Sequence, residues 1–341
     1  MQPFSYGHAA SAPDAIKAAS AIPTPPGEAH VRAPAQYLAG GTTLLDLMKL
    51  GVMRPRALID VGALRREHGG IEADASGLRL GAMARMSEAA DHPAILRDYP
   101  VIAQSLRLAA SPQLRNMASL AGNVLQRTRC HAFRDVRWRG CNKRDPGSGC
   151  DAIGGATRHL AVLGVSEHCI AHYPGDFANA LAALGAEVEI AGPGGARAVP
   201  FEDLHRLPGD APHVETNLAP GELITGFRVP AGPWTRRSLY VKVRDRDSYA
   251  FALASAAVAL DLRDGVVQEA RVALGGLAAK PWRSREAEAA LRGRPLDKDT
   301  ARQAAEAAFR GAVTHGGTEF KPELGRRTLV RALLDAAALE S

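Results

Sequence analysis

The sequence lacks several features that would have identified a class of protein directly. It has no run of 18 or more uncharged apolar residues, so we expect no membrane-spanning helix. The N-terminus lacks a basic stretch followed by an apolar one, so we expect no secretory signal. We therefore expect this protein to be cytoplasmic, or periplasmic only as the signal-less passenger of a partner.

Motifs for common chemistries are also missing. There is no G-x-G-x-x-G or Walker loop, no metalloprotease helix, no G-x-S-x-G elbow and no apparent Ser/His/Asp nucleophile set. The 42 basic and 36 acidic residues give a net charge of +6, without a long basic stripe or a recognition module, so nucleic-acid binding is not expected. The 341 residues predict about two globular domains.

Cysteine is scarce, and its placement is informative. The four cysteines fall within one 40-residue window with the spacing C-x10-C-x8-C-x18-C: Cys130, Cys141, Cys150 and Cys169. A structural zinc site usually has close C-x2–4-C pairs, whereas an iron–sulfur cluster can take four thiolates from widely spaced loop positions. A chain with a core of this size does not need disulfides. The spacing favours an iron–sulfur cluster, and zinc, disulfides or free thiols remain alternatives.

The segment around the cysteines is basic. Its apolar residues do not recur with a period of 2 or 3.6 residues, which predicts an irregular loop rather than a strand or a helix. Its cations could stabilise an anionic [4Fe–4S] cluster or dock an acidic partner. They are Arg127, Arg129, Arg134, Arg137, Arg139, Lys143 and Arg144, against Asp135 and Asp145. A mixed histidine and cysteine site is a further alternative, because four histidines flank the cysteines: His131, His159, His168 and His172.

The first 55 residues predict the order strand, helix, strand, helix. A buried strand at 36–39 runs into Gly40-Gly41-Thr42-Thr43 and a helix at 44–50. Thr43 followed three residues later by Asp46 resembles a capping box. A strand, a glycine pair and a helix start can cradle a phosphate through backbone N–H groups, or form a plain tight turn.

A second glycine-bearing turn at 116–123 offers hydrogen bonds from Ser119 and Asn123 and close approach at Gly122. The pattern of this turn is compatible with two roles, binding of a ligand and capping of a helix. Asp176 is well placed as the N-cap of a helix at 177–184.

Further elements follow Asp176 along the chain. We predict a strand at 186–190, a hairpin turn at 192–195 and a domain boundary at 230–233. Beyond it we predict strands at 239–243, 250–260 and 271–274, a hairpin at Asp264-Gly265, and helices at 285–291, 299–312 and 325–339.

Six motifs occur in an order that resembles one family: YLAGGTTLLDLMK, NMASLAGNV, YPGDFANALAALGAEVEI, GELITGFRVP, YVKVRDRDSYAFALASAAVAL and ALGGLAAKPWR. The chain is similar to the FAD-binding medium subunit of the molybdenum hydroxylases, the xanthine dehydrogenase and carbon monoxide dehydrogenase family. The cysteine segment resembles that of the periplasmic aldehyde oxidoreductases, whose flavin subunit carries an extra [4Fe–4S] cluster.

The resemblance implies an α+β fold. A two-part FAD-binding domain of the vanillyl-alcohol-oxidase type would cover 1–230, with subdomains 1–55 and 56–230 and an iron–sulfur insertion at 124–172. A C-terminal domain of the carbon monoxide dehydrogenase flavoprotein type would cover 234–338.

The resemblance also implies site residues. Backbone N–H groups of the first motif would hold the FAD pyrophosphate, at Ala39, Gly40, Gly41, Thr42, Thr43 and Leu44. Ser119, Gly122 and Asn123 would form a second wall. Asp176 would contact the ribityl or ribose region, Ile224 would lie against the flavin and Lys242 near the isoalloxazine. The four cysteines would hold the cluster.

The implied function is electron transfer, with no catalytic residue on this chain. A small subunit with two [2Fe–2S] clusters would deliver electrons from a large molybdenum-cofactor subunit to this FAD, which passes them to an external acceptor. The flavin subunit of another molybdenum hydroxylase (xanthine, carbon monoxide or aromatic-CoA type), a zinc-bound non-catalytic scaffold and a stand-alone flavin oxidase are the alternatives.

Overall fold

The computed structural model describes residues 1–25 and 27–339, which form three sheets with their helices. The first sheet is parallel, in the order β1-β3-β2. Its unit contains β1 (Ser5–His8), α1 (Ala12–Ser20), β2 (Ala35–Leu38), α2 (Leu44–Lys49) and β3 (Ala57–Asp60). The predicted element order is confirmed. Strand β3 pairs with both other strands, so this sheet extends past the predicted boundary between residues 55 and 56, which stays a prediction.

The predicted capping box at the start of α2 is wrong. Thr43 has helical backbone angles and its side chain makes no capping hydrogen bond. The Asp46 carboxylate instead accepts a hydrogen bond from the Arg134 guanidinium at 2.8 Å, and the Arg129 guanidinium lies 3.7 Å away. Asp46 therefore joins α2 to the cysteine-bearing segment, a contact between residues 88 positions apart.

The second unit is built on a five-stranded antiparallel sheet in the order β4-β5-β8-β6-β7. Helices cover one face of this sheet and form a large apolar core with it. Its elements are α3 (Arg65–His68), β4 (Ile71–Asp74), β5 (Gly77–Gly81), α4 (Met86–Asp91), α5 (Pro93–Asp98), α6 (Pro100–Arg107), α7 (Pro112–Met117), α8 (Leu120–Val124), α9 (His131–Arg134), α10 (Phe177–Leu184), β6 (Glu187–Gly192), β7 (Gly195–Pro200) and β8 (Leu223–Pro230).

Helix α10 lies at the centre of this core, and all eight of its residues are buried. The sequence FANALAAL is apolar apart from Asn179. A helix that is apolar on nearly all sides is stable only when the protein encloses it. The helix ends at Gly185, whose φ of 67° is the left-handed conformation that favours glycine. The predicted bounds are confirmed. Asp176 occupies the N-cap position as predicted, but its carboxylate makes no capping hydrogen bond.

The third unit contains a four-stranded antiparallel sheet, β12-β11-β10-β9. Its elements are β9 (Ser238–Val243), β10 (Ala254–Arg263), β11 (Val266–Gly275), β12 (Trp282–Arg283), α11 (Arg285–Leu291), α12 (Lys298–Ala308) and α13 (Lys321–Ala337). The alanine-rich run is a strand as predicted. Asp264 and Gly265 both have positive φ, as the two central residues of a tight hairpin turn require. No helix in the described part of the chain is long and apolar enough to cross a membrane.

Strand β10 separates two apolar cores. Ala257 and Ala259 belong to the core around α10, whereas Ala256, Val258 and Leu260 belong to the core beneath α11, α12 and α13. Side chains alternate between the faces of a strand, so a strand buried on both faces is a continuous apolar run. Such a run does not show the alternation of apolar and polar residues that identifies a strand. Its alanine-rich composition therefore leaves its secondary structure ambiguous when only the sequence is considered.

The cysteine-bearing segment between α8 and α10 is mostly turns and loops with the single short helix α9, as predicted. It packs with α2 in an apolar cluster of its own. Lys321 of α13 is fully buried and donates hydrogen bonds to the carbonyl oxygens of Leu160 at 2.8 Å and Gly276 at 2.6 Å. Burial lowers the pKa of this lysine to about 7. Lys321 thereby ties the cysteine-bearing segment to the third unit.

Replacing Gly325 by alanine tests the packing of α13. A Cβ at this position would overlap the Phe309 ring. Overpacking costs about 1–3 kcal/mol, which outweighs the gain in helix propensity of about 1 kcal/mol. We expect G325A to lower the free energy of unfolding, measured by chemical denaturation. G311A is the control, because a Cβ at Gly311 would have no neighbour within 4 Å. Equal stability of the two variants would contradict this packing.

Candidate functional site

A cavity of about 550 Å³ lies where the glycine loop after β2, the start of α8 and the chain leading into β8 meet. This volume is within the range of about 300–1,000 Å³ found for small-molecule sites. Nine of the twelve predicted ligand contacts line it: Ala39, Gly40, Gly41, Thr42, Thr43, Leu44, Ser119, Gly122 and Ile224. The fold thus brings three distant motifs to one cavity. Their contacts with a ligand stay a prediction.

The glycine loop has the properties of a ligand cradle. A Cβ at Gly40 would overlap the carbonyl group of Met117, and Gly41 has a φ of 73°. In the described structure, no backbone N–H of residues 40–43 donates to a backbone carbonyl outside regular elements. The Thr43 side chain is not used as a cap. The loop therefore offers unpaired donors beside the cavity, as an anionic ligand group requires.

The second motif serves first as a helix start. The Ser119 hydroxyl accepts a hydrogen bond from the Gly122 N–H at 3.2 Å, so the helix-cap interpretation is confirmed for this side chain. The backbone N–H groups of Leu120 and Ala121 donate hydrogen bonds to the carbonyl oxygens of Ala84 and Ala82, which follow β5 in the chain. These bonds fix the start of α8 in place. Asn123 does not line the cavity, and its amide nitrogen lies 3.3 Å from the Met86 sulfur.

Asp176 and Lys242 form a buried ion pair rather than part of the cavity wall. The Asp176 carboxylate accepts hydrogen bonds from Lys242 Nζ at 2.8 Å and from the Tyr240 hydroxyl at 2.7 Å. Lys242 also donates to the Leu108 carbonyl at 3.0 Å. Burial raises the pKa of Asp176, and the ammonium of Lys242 opposes this shift. Neither charged residue lines the cavity, and their contacts with a flavin stay a prediction.

The cysteine-bearing segment contributes charge to the cavity wall. Glu215 forms ion pairs with both Arg127 and Lys143, the latter at 3.1 Å, and all three residues line the cavity. Two cations facing one carboxylate leave an excess positive charge. Burial and the charge of Arg127 lower the pKa of the neighbouring His30. This end of the cavity therefore favours an anionic group.

Sequence reasoning missed these wall residues. Arg127 and Lys143 were recognisable only as members of a basic loop, and Glu215 lies outside the motifs, six residues before the one that begins at Gly221. His172 and His205 also line the cavity, and both are buried. His172 was considered only as a flanking metal ligand. It lies outside the motifs, directly before the one that begins at Tyr173, and this adjacency was the one signal that could have indicated its role.

All four cysteines are free thiols. Cys130, Cys141 and Cys169 are buried, and Cys150 is partly exposed opposite Cys141 in an isolated antiparallel bridge. Burial raises the pKa of Cys130 to about 12 and also raises the pKa of Cys141 and Cys169. Among the described residues, no group of three or more His, Cys, Asp or Glu side chains converges closely enough to hold one metal ion. The described residues therefore show no preformed metal site, either for the predicted four-cysteine cluster or for the zinc and mixed histidine alternatives.

Comparison with known families matches nearly the whole chain. Residues 2–232 match the family described as the FAD binding domain in molybdopterin dehydrogenase. Residues 239–338 match the CO dehydrogenase flavoprotein C-terminal domain. The junction between the two matches falls in the segment between β8 and β9.

Individual proteins are similar along their full lengths. The aldehyde oxidoreductase FAD-binding subunit PaoB of Escherichia coli K12 is 44% identical over 340 residues, covering 99% of both chains. The carbon monoxide dehydrogenase medium chain of Afipia carboxidovorans is 28% identical over 333 residues, covering 96% of this chain and 95% of that protein. The structure of carbon monoxide dehydrogenase from Hydrogenophaga pseudoflava shares the fold, with a TM-score of 0.74 and 24% identity over 98% of this chain and 97% of that one.

The buried ion pair predicts a large effect of removing one partner. K242M leaves the Asp176 carboxylate buried without its cation, so we expect the free energy of unfolding to fall by about 3–5 kcal/mol. Denaturant unfolding measures this change. The double variant D176N/K242M should recover much of the loss, and K49M at an exposed lysine should change little. A loss in K49M as large as that in K242M would argue against the pair.

Proposed function

The chain belongs to the family of FAD-binding medium subunits of the molybdenum hydroxylases, and we propose that it is the electron-transfer subunit of a molybdenum-dependent aldehyde oxidoreductase. The observation that carries the proposal is the cavity itself. Its two glycine-bearing walls lie within the region that matches the FAD-binding family. The aldehyde assignment is supported by the 44% identity with an aldehyde oxidoreductase subunit.

The residues of the cavity fit FAD. The unpaired N–H groups of residues 40–43 and the excess charge of Arg127 and Lys143 suit a pyrophosphate, while the buried Ile224 offers an apolar surface to a ring. When bound, the flavin accepts electrons and passes them onward. The task of the chain is to bind this group, orient it and exclude water from it. No group of this chain is assigned a bond-making role.

We further propose that the four cysteines hold a [4Fe–4S] cluster. Each iron of such a cluster takes one thiolate, so the four sulfurs need not converge on a single ion. The donor set fits, because four free thiols lie around one apolar cluster of side chains next to the cations of the loop. Since burial raises the pKa of three of these thiols, their loading must release protons.

The proposed partners follow from the family. A small subunit with two [2Fe–2S] clusters would supply electrons, a large molybdenum-cofactor subunit would oxidise the aldehyde, and an external acceptor would take electrons from the flavin. We propose that the complex is periplasmic, with this chain as a passenger of a partner, or else cytoplasmic; fractionation of cells followed by immunoblotting separates these two. Oxidation of carbon monoxide or xanthine in place of aldehydes by the purified complex would support another member of the family.

Cofactor analysis of the anaerobically purified complex tests the proposal. We expect about one FAD per chain, and about four irons per chain beyond those of the [2Fe–2S] partner. Flavin without the extra iron would keep the family role and remove the cluster. A colourless protein with stoichiometric zinc would support a non-catalytic scaffold instead.

Two variants separate the proposed sites. C141S should lose about four irons while retaining FAD, because Cys141 does not line the cavity. G40V should lose FAD while retaining iron, because a side chain at this position overlaps Met117. Visible spectra with flavin and iron quantification measure both. Loss of FAD and iron together in each variant would indicate misfolding or one shared site, and circular dichroism separates these explanations.

A further inference from the structure

The strongest unexplained feature of the cavity is a histidine without partners. His172 is 2% exposed, and neither Nδ1 nor Nε2 has a hydrogen-bond partner among the described residues. Buried polar groups are nearly always paired, because leaving one unpaired forfeits its hydration without compensation. The side chain lines the cavity. A ligand in the cavity is therefore the natural source of the missing hydrogen bonds.

The backbone around His172 is held firmly. The Ala161 N–H donates to the Ile170 carbonyl at 2.9 Å, and the Tyr173 N–H donates to the Ala278 carbonyl at 2.9 Å. The Tyr173 hydroxyl donates to the Val124 carbonyl at 2.8 Å. Hydrogen bonds on both sides thus fix the backbone that carries the imidazole before any ligand arrives, which lowers the entropy cost of binding.

The charge state of His172 narrows the choice of ligand group. Burial and the positive charges of Lys321 and Arg129 lower the pKa of His172 well below its usual value, and so does the nearby His159. The imidazole is therefore neutral, with one N–H donor and one bare nitrogen acceptor. A pyrophosphate offers only acceptors, and the glycine loop already provides donors for it. A neutral imidazole suits a group that presents both C=O and N–H.

We propose that His172 is a cofactor-binding residue whose imidazole hydrogen-bonds the pyrimidine edge of the isoalloxazine ring of FAD. That edge alternates carbonyl and N–H groups and carries no charge in the oxidised flavin. The inference rests on the proposed function, because it requires FAD in this cavity. It assigns a role to a side chain that no motif indicated.

The neighbouring His205 makes a useful contrast. Its Nε2 lies 3.1 Å from the Val124 carbonyl, and its ring packs edge-on against Tyr173 with centroids 4.9 Å apart. One nitrogen of His205 is therefore already paired within the protein. His172 has no such anchor, so its ring nitrogens are both free for the cofactor.

Three variants in the complete complex test the assignment. H172L removes both nitrogens, and H172Q supplies an amide NH2 donor group and a carbonyl acceptor in their place. H92L is the control, because His92 also has a buried, unpaired Nδ1 but does not line the cavity. The readouts are FAD affinity of the deflavinated complex, the midpoint potential of the bound flavin, and the thermal unfolding of both forms.

We expect H172L to raise the Kd for FAD about tenfold, as loss of a buried hydrogen bond predicts. The midpoint potential should fall, because the reduced ring is richer in electrons and loses a donor at its pyrimidine edge. H172Q should recover most of the affinity, and H92L should match the wild type. The deflavinated H172L complex should be at least as stable as the wild type, because leucine removes an unpaired polar group.

The results that would overturn the assignment of His172 differ from the result that would overturn the proposed function. Unchanged affinity and potential in H172L would overturn the assignment and make His172 a histidine of the core alone. Equal destabilisation of H172L with and without FAD would overturn it as well, since that indicates a structural role. Failure of the wild-type complex to bind FAD would overturn the proposed function itself.

Discussion

The cavity depends on the close approach of two backbones, at Gly40 and Met117. Only a residue without a Cβ can occupy position 40, because any side chain would overlap the Met117 carbonyl. The Arg85 guanidinium donates to the same carbonyl and holds that turn in place. This contact sets the glycine loop of the small parallel sheet beside the start of α8, 75 residues or more along the chain. Without it, the two motifs would not face a common space.

The cysteine-bearing segment is integrated into the molecule rather than appended to its surface. It packs against α2 in a shared apolar cluster, and Asp46 pairs with its arginines. Lys321 reaches the same segment from the opposite side through the Leu160 carbonyl. Arg127 and Lys143 then carry its charge into the cavity wall. A segment that holds four thiols can therefore influence the bound ligand through charge and packing, even where no thiol touches that ligand.

Charge is unevenly distributed around the cavity. The wall includes both an excess cation beside Glu215 and the neutral His172. A ligand with an anionic half and an uncharged, hydrogen-bonding half matches this asymmetry. Away from the cavity, the buried charges of Asp176 and Lys242 compensate each other between α10 and β9. Burial without such compensation would be costly, which explains why these two groups pair with each other.

Local patterns in the sequence determined the elements and the position of the glycine loop. The apolar sequence of α10, the Asp264-Gly265 turn and the alanine-rich strand each follow from propensities that act over a few residues. Only the tertiary structure determined which residues form ion pairs with the polar side chains. Asp176 and Asp46 both have sequences typical of helix caps, yet they pair with Lys242 and Arg134 across 66 and 88 positions. The physical reason is that a carboxylate pairs with the counter-charge that packing brings to it, most strictly where it is buried as Asp176 is, and packing is not encoded in local spacing.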